Sequence, residues 1–144
     1  MAANYANFRK FRKFLMRLGM NITRLVIGCA LGVHRELGSG FLEIVYERAL
    51  EFELKSKGIR YERQVTFPVN YKGQPIGTFI ADMVVAGCLI IELKAADSIA
   101  PRDEAQLVNY LKVSKIPVGL LFNFGHQSLQ TKRLVYRFNE DRPI

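Results

Sequence analysis

The chain has 144 residues, of which 49% are hydrophobic, and it carries a formal net charge of +8. This length is that of one ordinary domain, and the apolar content is sufficient for a core. No uninterrupted apolar run reaches the roughly 20 residues of a membrane-spanning helix, so we expect no membrane partner. The two cysteines, without a CxxC motif, favour free thiols in a reducing compartment and a cytoplasmic protein, and disfavour a structural zinc site.

The positive charge is concentrated at the N-terminus. Residues 1–19 hold five basic residues and no acidic one, whereas the remainder has 16 basic and 13 acidic residues and so carries only +3. Such a balance suits a polyanion such as nucleic acid, although a solvated surface accounts equally well for +3. We predict a disordered leader at residues 1–19 and a single domain at residues 20–144. A basic, aromatic leader also leaves open contact with a membrane surface or nucleic acid.

Hydrophobic periodicity predicts two N-terminal helices. Apolar residues recur at helical spacing over Ile22–Leu37, and the glycines of Gly38–Gly40 end that helix. A second amphipathic segment runs from Phe41 to about Lys57, where Gly58 follows. The chain therefore opens with a pair of helices joined by a short glycine-containing loop.

The period then changes to two, which predicts strands. Three strands are predicted at residues 59–71, 76–85 and 89–95, as an antiparallel meander. Pro101 opens a third helix that ends near Ser114, and two more strands are predicted at residues 118–124 and 129–138. The predicted order is α-α-β-β-β-α-β-β, an α/β (α+β) fold.

Three charged residues interrupt the apolar strands: Asp82 in the second, and Glu92 and Lys94 in the third. Glu92 and Lys94 are two residues apart, so they project from one face. A three-residue turn at Ala86–Cys88 places Asp82 opposite Glu92 on that face, whereas a two-residue turn places the carboxylates on opposite faces. Two adjacent carboxylates repel unless a cation joins them, and Mg²⁺ prefers oxygen ligands. Lys94 could then orient or activate a water, or stabilise a pentavalent phosphorane, in metal-assisted phosphodiester hydrolysis.

Two helices offer further polar groups near these strands. Glu43 and Tyr46 are i and i+3 on the second helix, so they share a face, and Glu43 could add a carboxylate to the metal. Gln106 and Tyr110 are i and i+4 on the third helix and could contact a phosphate or hold the lysine in place. His34, on the first helix, could be a base or a ligand, or could support a neighbouring loop.

Each of these residues also has an ordinary structural interpretation. Taken alone, Glu92 and Lys94 are typical of an ion pair at the surface end of a strand. Glu43 alone is typical of a solvated helix residue, and the polar pair of the third helix is typical of surface and core-edge positions. The functional hypothesis therefore depends on the spacing and order of the whole set.

The set resembles a known family. The segment "GFLEIVY" at Gly40–Tyr46 matches the signature of the GxxExxY family, which is grouped with the PD-(D/E)xK nuclease-like superfamily. The resemblance covers about residues 22–138 and includes "ADMVV", "IIELKA", "EAQLVNYLK" and "VGLLFNFG". Ser39 stands where members of the family commonly have proline.

The resemblance implies a restriction-endonuclease-like core, in which helices flank a mixed central sheet. The catalytic residues that it implies are Asp82, Glu92, Lys94 and Glu43. The three carboxylates of that set would be the ligands of Mg²⁺ or Mn²⁺. The accessory motif that it implies is Gln106 with Tyr110, and we add Tyr46 and His34 as further accessory or substrate-binding candidates.

We therefore expect a metal-dependent nuclease whose partner is nucleic acid, either DNA or RNA. The alternative is a catalytically inactive module of the same fold that binds nucleic acid or protein. The last two strands could support a homodimer, which many nucleases of this type form.

Overall fold

The computed structural model describes residues 2–137, with side chains from residue 6 onwards. The helices are α1 (Ala2–Leu37), α2 (Glu43–Ser56) and α3 (Pro101–Ser114). The strands are β1 (Tyr61–Tyr71), β2 (Gln74–Val85), β3 (Leu89–Lys94), β4 (Val118–Asn123) and β5 (Gln130–Val135). This is the predicted order of elements. Phe138, at the end of the last predicted strand, and residues 139–144 of the predicted domain lie outside the described residues.

The first helix is longer than predicted. α1 begins at Ala2, so residues 2–19, predicted to be a disordered leader, are helical. The segment before Gly19 contains no glycine or proline and is rich in arginine, lysine, leucine and methionine, all good helix formers. Leu15 and Leu18 also pack against the hydrophobic core. The prediction of disorder was wrong because the dense charge concealed an apolar stripe that continues the first helix.

α1 also bears on the expectation of no membrane partner. By length and composition alone, the span Ala6–Leu37 within the described residues could cross a membrane. The core helix of a soluble protein meets the same two criteria, and Val26, Ala30 and Val33 of this span lie buried in the core. The expectation of no membrane partner therefore stays a prediction.

The five strands form one mixed sheet in the order β1-β2-β3-β4-β5. β1, β2 and β3 are antiparallel neighbours, β3 and β4 are parallel, and β5 is antiparallel to β4. The parallel pair requires a crossover, which α3 provides. One core cluster joins α1 and α2 to one face of the sheet, and a second cluster joins α3 to the other. The predicted mixed central sheet flanked by helices is confirmed.

The β2–β3 turn has three residues. Val85 pairs with Leu89, so Ala86–Cys88 form the turn, and Ala86 and Gly87 have φ angles of 51° and 64°. A left-handed conformation at two successive residues reverses the chain tightly. Of the two turn lengths that the sequence left open, this one places Asp82 opposite Glu92.

The packing of α1 over this turn predicts opposite effects of two alanine substitutions in one helix. A Cβ at Gly19 would lie 2.6 Å from the Cys88 carbonyl oxygen, whereas one at Gly28 would meet nothing within 4 Å. Gly19→Ala should lower the free energy of unfolding by about 1–3 kcal/mol through overpacking. Gly28→Ala should raise it by about 0.5–1 kcal/mol through helix propensity. Urea denaturation measures both, and a rise in both variants would show that α1 does not contact the turn.

Candidate active site

The β2–β3 ladder ends where the charged residues begin. Its last backbone pair joins Met83 and Ile91. Beyond it, the Asp82 N–H donates to Glu92 Oε1 at 3.1 Å, and the Leu93 N–H donates to Asp82 Oδ2 at 2.8 Å. The two carboxylates thus replace backbone carbonyls as hydrogen-bond acceptors. The strands separate at this point, and the two side chains are held next to each other.

β3 stays regular where β2 separates from it, because β4 pairs with the half of β3 that carries Glu92 and Lys94. Glu92 lies opposite Leu121 and Lys94 opposite Asn123 in the parallel ladder. Both strands are almost completely buried. The opening therefore lies between β2 and β3, and Glu92 and Lys94 stand on a strand that the core holds in place.

Glu92 is only 7% exposed although it is ionisable. Burial and the neighbouring Asp82 carboxylate raise its pKa from 4.5 to about 9, against a smaller lowering by Lys94. Two carboxylates in a buried site share a proton when no cation neutralises them. The pair therefore carries less than its full negative charge at neutral pH until a cation is supplied.

Lys94 is held by the start of α3. Its Nζ lies 3.9 Å from Asp103 Oδ1, and its side chain is 27% exposed. The other oxygen of Asp103 accepts the Ala100 N–H at 2.9 Å, which fixes the carboxylate at the N-terminus of the helix. Sequence reasoning did not single out Asp103 as a residue of the site. Its position in the first turn after the β3–α3 loop was the available indication that it could reach the lysine.

The polar pair of α3 lies on the same side as the carboxylates. The Tyr110 pKa is raised by burial and by the charges of Glu92 and Asp82, and lowered by a hydrogen bond with Gln106. The Tyr110 ring stacks on Phe79 of β2 with 3.8 Å between the ring centroids. Tyr110 is therefore close enough to Glu92 and Asp82 for their charges to act on it, and Gln106 contacts Tyr110. The accessory role of the two residues stays a prediction.

Glu43 and Asp82 line the same cavity. The cavity has a volume of about 520 Å³, and its lining includes Glu43, Asp82 and Leu93. Asp82 therefore contributes both to this cavity and to the pair with Glu92. Glu43 itself is solvent-exposed at the N-terminus of α2.

The predicted three-carboxylate metal site is not assembled as a unit. Among residues 6–137, no three His, Cys, Asp or Glu side chains are grouped closely enough to bind a metal by themselves. Asp82 and Glu92 are adjacent, whereas Glu43 stands apart on α2. Two adjacent carboxylates nevertheless suit Mg²⁺, which typically binds one or two carboxylates and completes its coordination with water and phosphate. The donor set therefore fits a hydrated divalent ion.

Tyr46 and His34 stabilise loops. Tyr46 is fully buried, its hydroxyl donates to the Gly38 carbonyl at 2.6 Å and accepts the Phe41 N–H at 3.2 Å, and its ring stacks on Phe124. It therefore shares no exposed face with Glu43, and it orders the loop before α2. His34 Nε2 is hydrogen-bonded to the His126 carbonyl at 3.0 Å, which is the contact expected of a loop-supporting histidine.

Sequence reasoning missed Glu47, which lines the same cavity as Glu43. Glu47 is 5% exposed, and it binds two side chains of β1. Helical periodicity could have found it, because Glu47 falls on the buried stripe of α2 with Tyr46, Leu50 and Leu54. A carboxylate at such a position predicts a buried partner.

The raised Glu92 pKa predicts a pH-dependent stability of the metal-free protein. A carboxyl group whose pKa is higher in the folded state favours folding at low pH, and this contribution is lost as pH rises. The window runs from 4.5 to about 9. Glu92→Gln removes the titration, so the variant should gain stability over wild type progressively across that window. Urea denaturation in a chelator measures this difference. If the difference in free energy of unfolding between Glu92→Gln and wild type did not change with pH, Glu92 would not have a raised pKa in the folded protein.

Comparison with known proteins agrees with this architecture. A family model described as the PD-(D/E)XK nuclease superfamily matches residues 20–134. The crystal structure of SSO0001 is similar, with a TM-score of 0.53 and 20% sequence identity, over 67% of this chain and 50% of that chain. The chain thus spans about half the length of that structure, and the likeness at this identity concerns the fold.

No curated protein matches the chain. Membership of the GxxExxY family within the superfamily stays a prediction. The family model extends from the middle of α1 into β5, well over half of the chain, and the protein therefore belongs to the PD-(D/E)XK nuclease superfamily.

Proposed function

We propose that the protein is a divalent-metal-dependent nuclease that hydrolyses phosphodiester bonds in DNA or RNA. The observation that carries the proposal is the adjacency of Asp82 and Glu92 where β2 and β3 separate, with Lys94 two residues further along β3. This is a pair of hard oxygen ligands beside a cation, in a chain that belongs to a nuclease superfamily.

Asp82 and Glu92 would hold Mg²⁺ or Mn²⁺. Among the described residues, the backbone N–H of Leu93 donates to Oδ2 of Asp82, and that of Asp82 donates to Oε1 of Glu92. The other oxygen of each carboxylate accepts no backbone hydrogen bond from these residues and would be the metal ligand. A divalent ion bound there would neutralise phosphate charge and lower the pKa of a bound water. Without a cation, the cavity would repel a phosphodiester, because Glu43, Glu47 and Asp82 all line it.

Lys94 would act on the attacking water or on the phosphate. Asp103 holds its ammonium group at the end of β3, and Lys94 is close enough to Glu92 to lower the pKa of that carboxyl group. An ammonium group that is already in position before the reaction stabilises the negative charge that develops when water attacks the phosphodiester. Glu43, exposed across the cavity, would orient a water or tune the metal site. Gln106 and Tyr110 would contact the substrate from the α3 side.

Nucleic acid is the proposed partner, since the chain has a net charge of +8. A cytoplasmic location is also proposed, because Cys29 and Cys88 are buried free thiols. Dimerisation supported by the last two strands, β4 and β5, stays a prediction. β5 is an edge strand of the sheet and carries Lys132 and Arg133, charges that oppose direct edge-to-edge pairing.

One observation favours the alternative, a catalytically inactive module of the same fold. Glu43 does not complete a three-carboxylate group with Asp82 and Glu92 in the described part of the chain. If no metal binds this pair, Glu92 would keep its proton at neutral pH and the fold would serve for binding alone. The two experiments below distinguish the alternatives.

The nuclease proposal predicts that Asp82→Ala and Lys94→Ala each lower cleavage of single- and double-stranded oligonucleotides by roughly 100-fold or more. Asp97→Ala is the matched control, because Asp97 is an exposed carboxylate in the loop after β3. It should cleave as wild type does. Circular dichroism should show that all three variants are folded. Equal cleavage by wild type and both site variants, from preparations free of contaminating nuclease, would contradict the proposal.

Metal binding predicts a thermal shift. An ion that binds only the folded state raises the melting temperature as its concentration passes the dissociation constant. Millimolar Mn²⁺ or Mg²⁺ should therefore raise the melting temperature of wild type and of Lys94→Ala, and should leave that of Asp82→Ala unchanged. The absence of a shift in wild type would favour the inactive module.

A further inference from the structure

One residue in the middle of β1 has a backbone conformation that strands rarely contain. Gln64 has a φ angle of 52°, in the left-handed region, although it is neither glycine nor asparagine. Strain of this kind persists only where surrounding contacts enforce it, and it concentrates at functional sites. The location of Gln64 is therefore informative.

Gln64 lies opposite the proposed metal ligand Asp82. In the β1–β2 ladder, Arg63 pairs with Met83 and Val65 with Ala81, and the ladder skips Gln64 and Asp82 between them. On its other side, β2 leaves the ladder with β3 at the same residue. The left-handed residue in β1 thus coincides with the position at which Asp82 leaves regular pairing on both sides.

A buried carboxylate on α2 is hydrogen-bonded to Gln64 and to its neighbour. Gln64 Nε2 donates to Glu47 Oε1 at 2.9 Å, and Arg63 Nη2 donates to Glu47 Oε2 at 3.1 Å. Two consecutive residues of β1 therefore bind the two oxygens of one carboxylate that is 5% exposed. Arg63 is held in addition by Glu51, with Nε 3.2 Å from Oε2. We name the contact between Glu47 and Gln64 the α2–β1 clamp.

The clamp joins α2 to β1, two of the elements whose residues line the cavity. Glu47 and Gln64 line it together with Asp82 and Glu43. Glu43 lies one turn before Glu47 on α2, so the helix position that the clamp sets is also the position of Glu43. Gln64 of β1 in turn lies opposite Asp82, where the ladder between β1 and β2 skips a pair.

We propose that Gln64, anchored by Glu47, is a positioning residue that acts through Asp82. Its side chain keeps β1 out of regular pairing at the one place where Asp82 must turn its carboxylate toward Glu92 and the Leu93 N–H. The inference rests on the proposed function for its catalytic meaning, but the positioning itself is a property of the folded chain. A clamp that merely docked α2 on the sheet would leave the Asp82 contacts unchanged when Gln64 is replaced.

The test uses a glycine substitution, which keeps the left-handed conformation and removes only the side chain. Gln64→Gly is compared with Lys72→Gly, because Lys72 in the β1–β2 turn also has a left-handed φ angle, of 49°. Both glycines relieve the same kind of backbone strain. Both variants should therefore fold, and only Gln64→Gly should disturb the site.

The first readout is amide hydrogen exchange by NMR. The Leu93 N–H donates to Asp82 Oδ2, so it reports whether that carboxylate is held in place. Gln64→Gly should speed exchange of the Leu93 amide by about tenfold relative to Lys72→Gly, while amides of β4 keep their rates. Unchanged Leu93 exchange in Gln64→Gly would overturn the proposal. This readout needs neither metal nor substrate, so failure of the nuclease proposal would not be mistaken for failure of the positioning.

The second readout is rescue. Exchanging the partners in Glu47→Gln/Gln64→Glu keeps one amide, one carboxylate and the net charge, and it preserves a hydrogen bond between the two positions. The double variant should protect the Leu93 amide better than Glu47→Gln or Gln64→Glu alone. Where wild type cleaves, Gln64→Gly should lower kcat and leave KM within about twofold, because the clamp does not bind substrate. Protection in the double variant no better than in the single variants would contradict the clamp.

Discussion

The adjacency of two carboxylates on neighbouring strands is the constraint on which the rest of the site depends. Asp82 and Glu92 would repel each other in their ionised forms, yet each accepts a backbone N–H from the other strand and is held in place. The two carboxylates stay close because β3 is buried and paired with β4, which prevents β3 from moving away from β2. In the metal-free protein a proton on the pair reduces the repulsion between the two carboxylates, and in the proposed enzyme a metal ion would do so.

The separation of β2 from β3 also explains how opposite faces of one sheet can serve one site. α2 packs with the cluster on one face, whereas Tyr110 of α3 packs with the cluster on the other. A closed sheet would keep Glu43 and Tyr110 apart. At the opening, Asp82 lines the cavity under α2 and also acts electrostatically on Tyr110. Asp82 is thereby accessible from both layers, through the cavity beside α2 and through its charge interaction with Tyr110 of α3.

Most of the fold could be predicted because the change from helical to strand periodicity is strong and the turns carry glycine or proline. The register of the β2–β3 hairpin could not, since turns of two and three residues both suited the sequence at Gly87. The helical start of α1 was missed because its apolar residues are interspersed with five cations. The burial of Tyr46 and the left-handed conformation of Gln64 depend on tertiary contacts with the Gly38 carbonyl and Glu47, which no local pattern reveals.

Counting the Mn²⁺ ions that Asp82 and Glu92 bind tests the proposed metal site most directly. Electron paramagnetic resonance measures free Mn²⁺ in a titration of the wild-type protein and of the Asp82→Asn/Glu92→Gln variant, which keeps the shape of both side chains. Wild type should remove Mn²⁺ from solution at a site that the variant lacks. Equal free Mn²⁺ in both titrations would contradict the claim that Asp82 and Glu92 form a metal site.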